Sequence, residues 1–220
     1  MNKKLFGILG SFLILLFATV KANAGAVGVS ISQWDVDGTG TEKIYAGGGE
    51  NSNTGSNQET ISGVPSIFVE SSPENGWVFG LDYIPVGAEF ISTSKTQTNI
   101  TSAASATESK TQKVAGDLDQ HITFYVEKEV MPGIYLKGGV ISVNVTSNES
   151  IGTGSSYGDD TIYGTTVAAG YKYDMDQMFI KAEVAYSDYE TIKLSATNTT
   201  NTAEGDIDAI IGKIAIGYKF

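Results

Sequence analysis

Residues 213–220 read "KIAIGYKF", with an apolar side chain at every second position: Ile214, Ile216, Tyr218 and Phe220. Ile210 and Gly212 continue that face upstream, while Ile211, Lys213, Ala215, Gly217 and Lys219 fall on the other. Successive side chains of an extended chain point to opposite faces, so a period of two describes a strand whose two faces meet different surroundings.

The same period recurs along the chain. "WVFGLDYIP" (77–85) sets Trp77, Phe79, Leu81 and Tyr83 against Val78, Gly80, Asp82 and Ile84. "QHITFYVEK" (120–128) sets Ile122, Phe124 and Val126 against His121, Thr123, Tyr125 and Glu127. "TTVAAGYKY" (165–173) sets Val167, Ala169, Tyr171 and Tyr173 against Ala168, Gly170 and Lys172. "FIKAEVAYSDY" (179–189) sets Ile180, Ala182, Val184 and Tyr186 against Lys181, Glu183, Ala185 and Ser187. Three more strands are predicted. "AVGVSIS" (26–32) aligns Val27, Val29 and Ile31, and "VPSIFVE" (64–70) turns Ile67 and Val69 outward with Ser66, Phe68 and Glu70 inward. "IYLKGGVISVNV" (134–145) puts Leu136, Gly138 and Val140 opposite Lys137, but Ile141, Val143 and Val145 then change parity, which predicts a bulge near Gly138 and Gly139. The predicted total is eight strands.

The connections decide between architectures. "SSPENG" (71–76), "KEVMPG" (128–133) and "DMDQM" (174–178) are tight turns built of turn-forming residues. Between them lie long segments at 35–60, 87–116, 147–159 and 190–205, so long and short alternate along the whole chain. A soluble β-sandwich has no reason to keep that order, whereas a membrane barrel puts short turns on the periplasmic side and long loops outside. One face of the strands is apolar or small, and the other carries Lys, Glu, Asp, His and Gly. Aromatics gather near strand ends (Trp77, Tyr83, Tyr171, Tyr173, Tyr186 and Phe220), as the interfacial girdles of such barrels do. The fold class predicted is all-β: a closed eight-stranded antiparallel transmembrane β-barrel.

The beginning of the chain agrees. "MNKKLFGILGSFLILLFATVKANA" (1–24) has Lys3 and Lys4, an apolar run from Leu5 to Val20, and the small-x-small site Ala22-Asn23-Ala24. That order predicts a cleaved signal peptide at 1–24 and a barrel domain at 25–220. After the leader no apolar run approaches the length of a helical span. With three of its 14 lysines in the leader, the mature chain sets 11 lysines against 25 acids, a net charge of −14. Such a surplus excludes nucleic acid as a partner, because phosphates are repelled. The chain has no Cys and no Arg, so disulfides, thiol chemistry and bidentate guanidinium clamps are all excluded.

The stretch "TTVAAGYKYDMDQMFIKAEVAYSDY" (165–189) followed by "IGKIAIGYKF" (211–220) resembles the last three strands of small eight-stranded outer-membrane barrels of the opacity-protein, OmpA membrane-domain and OmpX-like, porin-like kind. The resemblance implies an outer-membrane location in a Gram-negative bacterium, reached through the periplasm. It implies that Ile214, Ile216, Tyr218 and Phe220 form the assembly signal read by the outer-membrane insertion machinery. The chain departs from the family in lacking interior Arg, and with no peptidoglycan-binding segment within residues 1–220 a cell-wall tether is not among the expected roles.

Inside the barrel, Asp82, Glu127, Lys137, Lys172, Lys181, Glu183 and Lys213 are expected to form a charge network, because buried charges must pair. In an eight-stranded lumen this network is expected to plug and rigidify rather than conduct, although the small interior residues Gly80, Gly139, Gly170 and Gly217 do not exclude a pore. His121, the only histidine, follows Asp119 on the same face; with no marked nucleophile nearby it is expected to be a satisfied interior residue, and no catalytic residue is assigned. "DVDGTGTE" (35–42) opens like a calcium loop but places Ala46 where a bidentate Glu is needed, so Asp35, Asp37 and Glu42 offer at most a weak surface cation site. Segment 91–113 has eleven Ser or Thr in 23 residues and is expected to be solvated, either mobile or as strands extended beyond the membrane. The function expected is that of an integral outer-membrane barrel, not an enzyme, which stabilises the membrane and shows acidic, Ser/Thr-rich loops outside; the alternative is a narrow porin-like channel. Lipid and lipopolysaccharide are the expected partners, the chain is expected to be a monomer, and no cofactor or metal is called for.

Overall fold

A computed structural model describes residues 25–46, 49–73, 76–85, 88–100, 107–147 and 155–220. The predicted leader, 1–24, lies outside the described residues. Among them there are ten strands and no helix: β1 (Gly25–Ala46), β2 (Gly49–Ser71), β3 (Trp77–Ile84), β4 (Ala88–Ile100), β5 (Thr107–Met131), β6 (Ile134–Ser147), β7 (Asp160–Met175), β8 (Met178–Tyr189), β9 (Ile192–Ser195) and β10 (Thr202–Lys219). All pairings are antiparallel. They run β1-β2-β3-β5-β6-β7-β8-β10, and β10 pairs back onto β1, so eight strands stand in a ring. β4 extends off β5 and β9 off β10.

Among the described residues, the outward faces of the ring strands carry an apolar band. On β10 it runs from Ile210 to Phe220, about the 9–11 residues that a tilted strand needs to cross a bilayer. Val29, Ile31, Val167, Val184 and Ile214 are each more than half exposed, an arrangement stable in lipid and costly in water. Above the band the outward residues turn polar at once: Asp35 and Asp37 on β1, Asp206 and Asp208 on β10, and Asp188 on β8. At one end the turns are short, with Gly76, Gly133 and Asp176 at positive φ. A Cβ on Gly133 would meet Tyr171 Cε2 at 2.6 Å and the Lys172 carbonyl at 2.9 Å, so only glycine fits that turn.

At the other end the segments expected as loops are largely strand. β1 and β2 are 22 and 23 residues long, about twice a bilayer span, so 35–60 is the projecting half of a hairpin. Segment 87–116 is mostly β4 and β5, and 190–205 contains β9 paired with β10. The ring keeps the eight strands expected, and the two extra ones are β9, within 190–205, and β4, which follows β3 after the interruption at Pro85. Proline has no N–H to give the ladder. Opposite the break β5 carries a bulge, with Gln120 at φ 53 and a register shift between Asp119 and Ile122.

The bulge expected near Gly138 and Gly139 is absent. β6 keeps continuous register through these residues on both sides, with Gly138 opposite Val126 and Val167, and Gly139 opposite Tyr125 and Thr166. Ile141, Val143 and Val145 consequently point inward and are buried. Their parity is not an error in the strand but the mark of an apolar interior layer.

Candidate functional site

The lumen is filled in three layers. The lowest is built by one cross-strand row: Phe68 on β2 pairs with Gly28 on β1, which pairs with Gly217 on β10, which pairs with Phe179 on β8. A Cβ on Gly28 would strike the Phe68 ring, and one on Gly217 the Phe179 ring. Each phenyl therefore lies flat over the neighbouring glycine, and the two rings meet with centroids 6.2 Å apart. Ala26 and Ala215 complete this layer.

The middle layer holds the charges. Lys181 Nζ donates to Glu70 Oε1 at 2.6 Å and to Glu127 Oε2 at 2.7 Å. Lys213 Nζ donates to Asp82 Oδ2 at 2.9 Å, and Lys137 is bonded to Glu183. Tyr125 Oη donates to Glu70 at 2.7 Å and Tyr135 Oη to Glu183 at 3.0 Å. The two tyrosines follow the glycine rule of the layer below: Tyr125 lies over Gly80, and Tyr135 over Gly170. Their rings also face the ammonium groups, Lys137 at 4.9 Å from the Tyr125 centroid and Lys181 at 5.1 Å from that of Tyr135. With no Arg available, the lysines are held by point charges, and Lys137 and Lys181 by ring faces as well, rather than by a planar fork. The cavity among these side chains is ≈ 20 Å³, room for a single water molecule.

The upper layer is apolar. Trp34, Val36, Ile84, Ile141, Val143, Tyr189, Ile207 and Ile211, from five strands of the ring, belong to one cluster. His121 enters this layer from the bulge of β5. Its Nε2 lies 3.1 Å from Tyr189 Oη and its ring meets Trp34 edge-on at 5.3 Å, while Nδ1 is buried with no hydrogen-bond partner among the described residues. The side chain of Asp119 lies outside the described residues.

Six of the seven residues expected in the interior network stand together: Asp82, Glu127, Lys137, Lys181, Glu183 and Lys213. Lys172 does not. It sits at the short-turn rim, 3.7 Å from Asp174, which also takes Lys219 at 2.9 Å. The inward stripe of β7 reaches that rim below the charged layer, so parity alone placed Lys172 wrongly. Glu70 belongs to the network and was missed, although it shares the inward parity of Ser66 and Phe68. The interior glycines that kept a pore in question are covered: Gly80, Gly170 and Gly217 by rings, and Gly139 by Tyr125 Cβ at 3.1 Å from its would-be Cβ.

Ile214, Ile216, Tyr218 and Phe220 lie on the outer face, and Phe220 exchanges backbone hydrogen bonds of 2.9 and 3.1 Å with Gly25. Asp35, Asp37 and Glu42 do not converge. Asp35 accepts from Thr60 at 2.7 Å, and Asp37 shares its outward face, but Glu42 has the opposite parity and accepts from Tyr157 at 3.0 Å. Among the described residues no group of three acids, histidines or cysteines is placed to hold a metal ion. At the open end the segments around 155–159 and 196–201 are tied together, with the buried Asn201 donating to Ser155 Oγ at 2.8 Å and accepting from the Tyr45 amide at 3.1 Å.

The sequence matches no protein-family model and no curated protein. Among solved structures, the outer membrane protein OprG from Pseudomonas aeruginosa superposes with a TM-score of 0.50 at 11% identity, over 91% of this chain and 97% of that one. The outer membrane protein AlkL in DMPC lipid bilayers gives 0.45 at 13% identity, over 91% and 92%. Ail of Yersinia pestis, in complex with the heparin analogue sucrose octasulfate, gives 0.40 at 12%, over 89% and 99%. The ring of strands, its lipid-type outer band and the superposition on OprG agree: in fold, this chain is a small β-barrel of the outer-membrane kind.

Proposed function

We propose that this chain is a sealed outer-membrane barrel that stabilises the membrane and presents acidic, Ser/Thr-rich hairpins at the cell surface for adhesion or shielding. The observation that carries the reading is the filled lumen. Two apolar layers flank an ion-paired one whose cavity is ≈ 20 Å³, too small for a hydrated ion, which supports a lumen that does not conduct. The long hairpins are the extracellular end and the short turns the periplasmic end, following the asymmetry of such barrels. Lipid and lipopolysaccharide cover the band, the leader 1–24 is removed on export, and the insertion machinery reads Ile214, Ile216, Tyr218 and Phe220. No catalytic role is assigned: His121 is packed between Trp34 and Tyr189.

The competing reading is a narrow channel for small solutes or ions. Planar-bilayer recording of the refolded protein separates the two. The sealed barrel gives a baseline without discrete steps, and steady unitary conductance that scales with inserted protein would overturn it.

A further inference from the structure

The charges of the middle layer do not balance. Glu70, Asp82, Glu127 and Glu183 set four carboxylates against the three ammonium groups of Lys137, Lys181 and Lys213, and all seven side chains line the same cavity. Lys213 pairs with Asp82 and Lys137 with Glu183, one to one. Lys181 is shared, because it bridges Glu70 and Glu127. One surplus negative charge therefore falls on the Glu70–Lys181–Glu127 group. Of the described residues below it, Lys172 lies across the Phe179 ring at the rim, where it is partly exposed and bonded to Asp174. Above it comes the apolar cluster, with His121 against Trp34.

A buried charge persists only when it is paired or coordinated. Glu70 and Glu127 are each more than nine-tenths buried. Among the described residues both hydrogen bonds to Glu70 land on Oε1, and the one to Glu127 lands on Oε2. That leaves Glu70 Oε2 and Glu127 Oε1 as acceptors without a donor, on side chains that line the cavity. Its ≈ 20 Å³ admits a body the size of one water molecule. Carboxylate oxygens suit hard cations, and charge selects the valence. One monovalent ion brings the layer to zero, whereas a divalent ion would replace a surplus of −1 by one of +1.

We propose that the Glu70–Lys181–Glu127 group, with the cavity beside it, is the binding site of one monovalent cation of sodium or potassium size, stripped of its hydration shell and held as the counterion of the charged layer. Such an ion supplies the missing positive charge and gives Glu70 Oε2 and Glu127 Oε1 a common partner. It does not depend on what the hairpins do at the cell surface, and it is read by ion binding rather than by conductance.

The test refolds the chain into phosphatidylcholine vesicles in choline chloride free of sodium and potassium, then exchanges choline for sodium or for potassium at constant ionic strength. The urea midpoint should rise with the logarithm of the concentration of one of these ions, as binding to the folded state alone requires. Equilibrium dialysis of the barrel in dodecylphosphocholine micelles should count about one such ion per barrel at saturation, as the single surplus charge requires. Glu127→Gln brings the layer to three acids and three lysines, so it should bind at least tenfold less of the ion, lose the midpoint response, and be no less stable in choline than the unchanged chain. Glu70→Gln should do the same, and serves if Glu127→Gln does not fold. An unchanged chain that ignores both ions, with a midpoint that moves only with pH, would put a proton in the cation's place and overturn the proposal. A response that persists in both variants would belong to the acidic hairpins and would overturn it too.

Discussion

Replacing Lys181 by Met is the sharpest test of the middle layer. Lys181 is bonded to Glu70 and Glu127 at 2.6 and 2.7 Å, and the three side chains are 7%, 4% and 4% exposed. Removing the ammonium leaves two carboxylates facing each other in a layer closed above and below by apolar side chains. An uncompensated buried charge costs about 3–5 kcal/mol, and little solvent reaches this one to soften the loss. Unfolding by urea in lipid vesicles, followed through Trp34 and Trp77, measures it. Lys172→Met is the control, since Lys172 is partly exposed and its partner Asp174 is 52% exposed; its loss should cost no more than about 1 kcal/mol. Adding Glu70→Gln and Glu127→Gln to Lys181→Met should recover most of the stability, because neutral partners need no counterion. If Lys181→Met and Lys172→Met both cost less than about 1 kcal/mol, the layer is hydrated and the reasoning fails.

Three further outcomes are expected. Ile214→Lys, at mid-band on the outer face, should cost about 2–4 kcal/mol of refolding free energy and Tyr218→Lys, near the rim, no more than about 1; equal costs would contradict the depth assigned to the band. Gly170→Ala pushes a methyl into the Tyr135 ring and to 2.7 Å from the Ala182 carbonyl, so it should cost about 1–3 kcal/mol, whereas Gly138→Ala, with nothing within 4 Å, should be neutral or slightly stabilising; equal urea midpoints would show that the rings do not lie on the glycines. Phe220→Ala should leave refolding into vesicles intact but strand the protein in the periplasm of expressing cells, and normal export with failed refolding would show that Phe220 acts by packing.

How much of this was legible follows from what parity can and cannot carry. Alternation on β10, β8 and β7 identifies which side chains face out, because lipid tolerates only one chemistry there, and residues such as Ile214 and Val184 declare themselves. The interior has no such uniform rule. Ile141, Val143 and Val145 are as apolar as the lipid face, so their inward position looked like a bulge; only the register of β6 against both neighbours resolves it. Parity also gives the face of a residue without its height, which is why Lys172 was grouped with charges that stand one layer away. The glycine–aromatic rows pair residues about 40 positions apart, as in Gly28 with Phe68, and a single strand read alone carries no trace of them. Segment 91–113 takes the extended-strand alternative of its reading, while 35–60, read only as a loop, is also strand, because composition without a buried face does not tell a solvated strand from a loop.

The central claim is that the lumen is dry and filled while the outer band meets lipid. Solid-state NMR of the protein in hydrated bilayers tests it directly, by transferring proton magnetisation from water and from acyl chains to assigned side chains. Val143 and Tyr135, 0% and 1% exposed, should receive magnetisation late from both sources, while Ile31, Val184 and Ile214 should receive it early from lipid and Asp37 early from water. Early transfer from water to Val143 and Tyr135 would mean an open, hydrated lumen and would contradict the account.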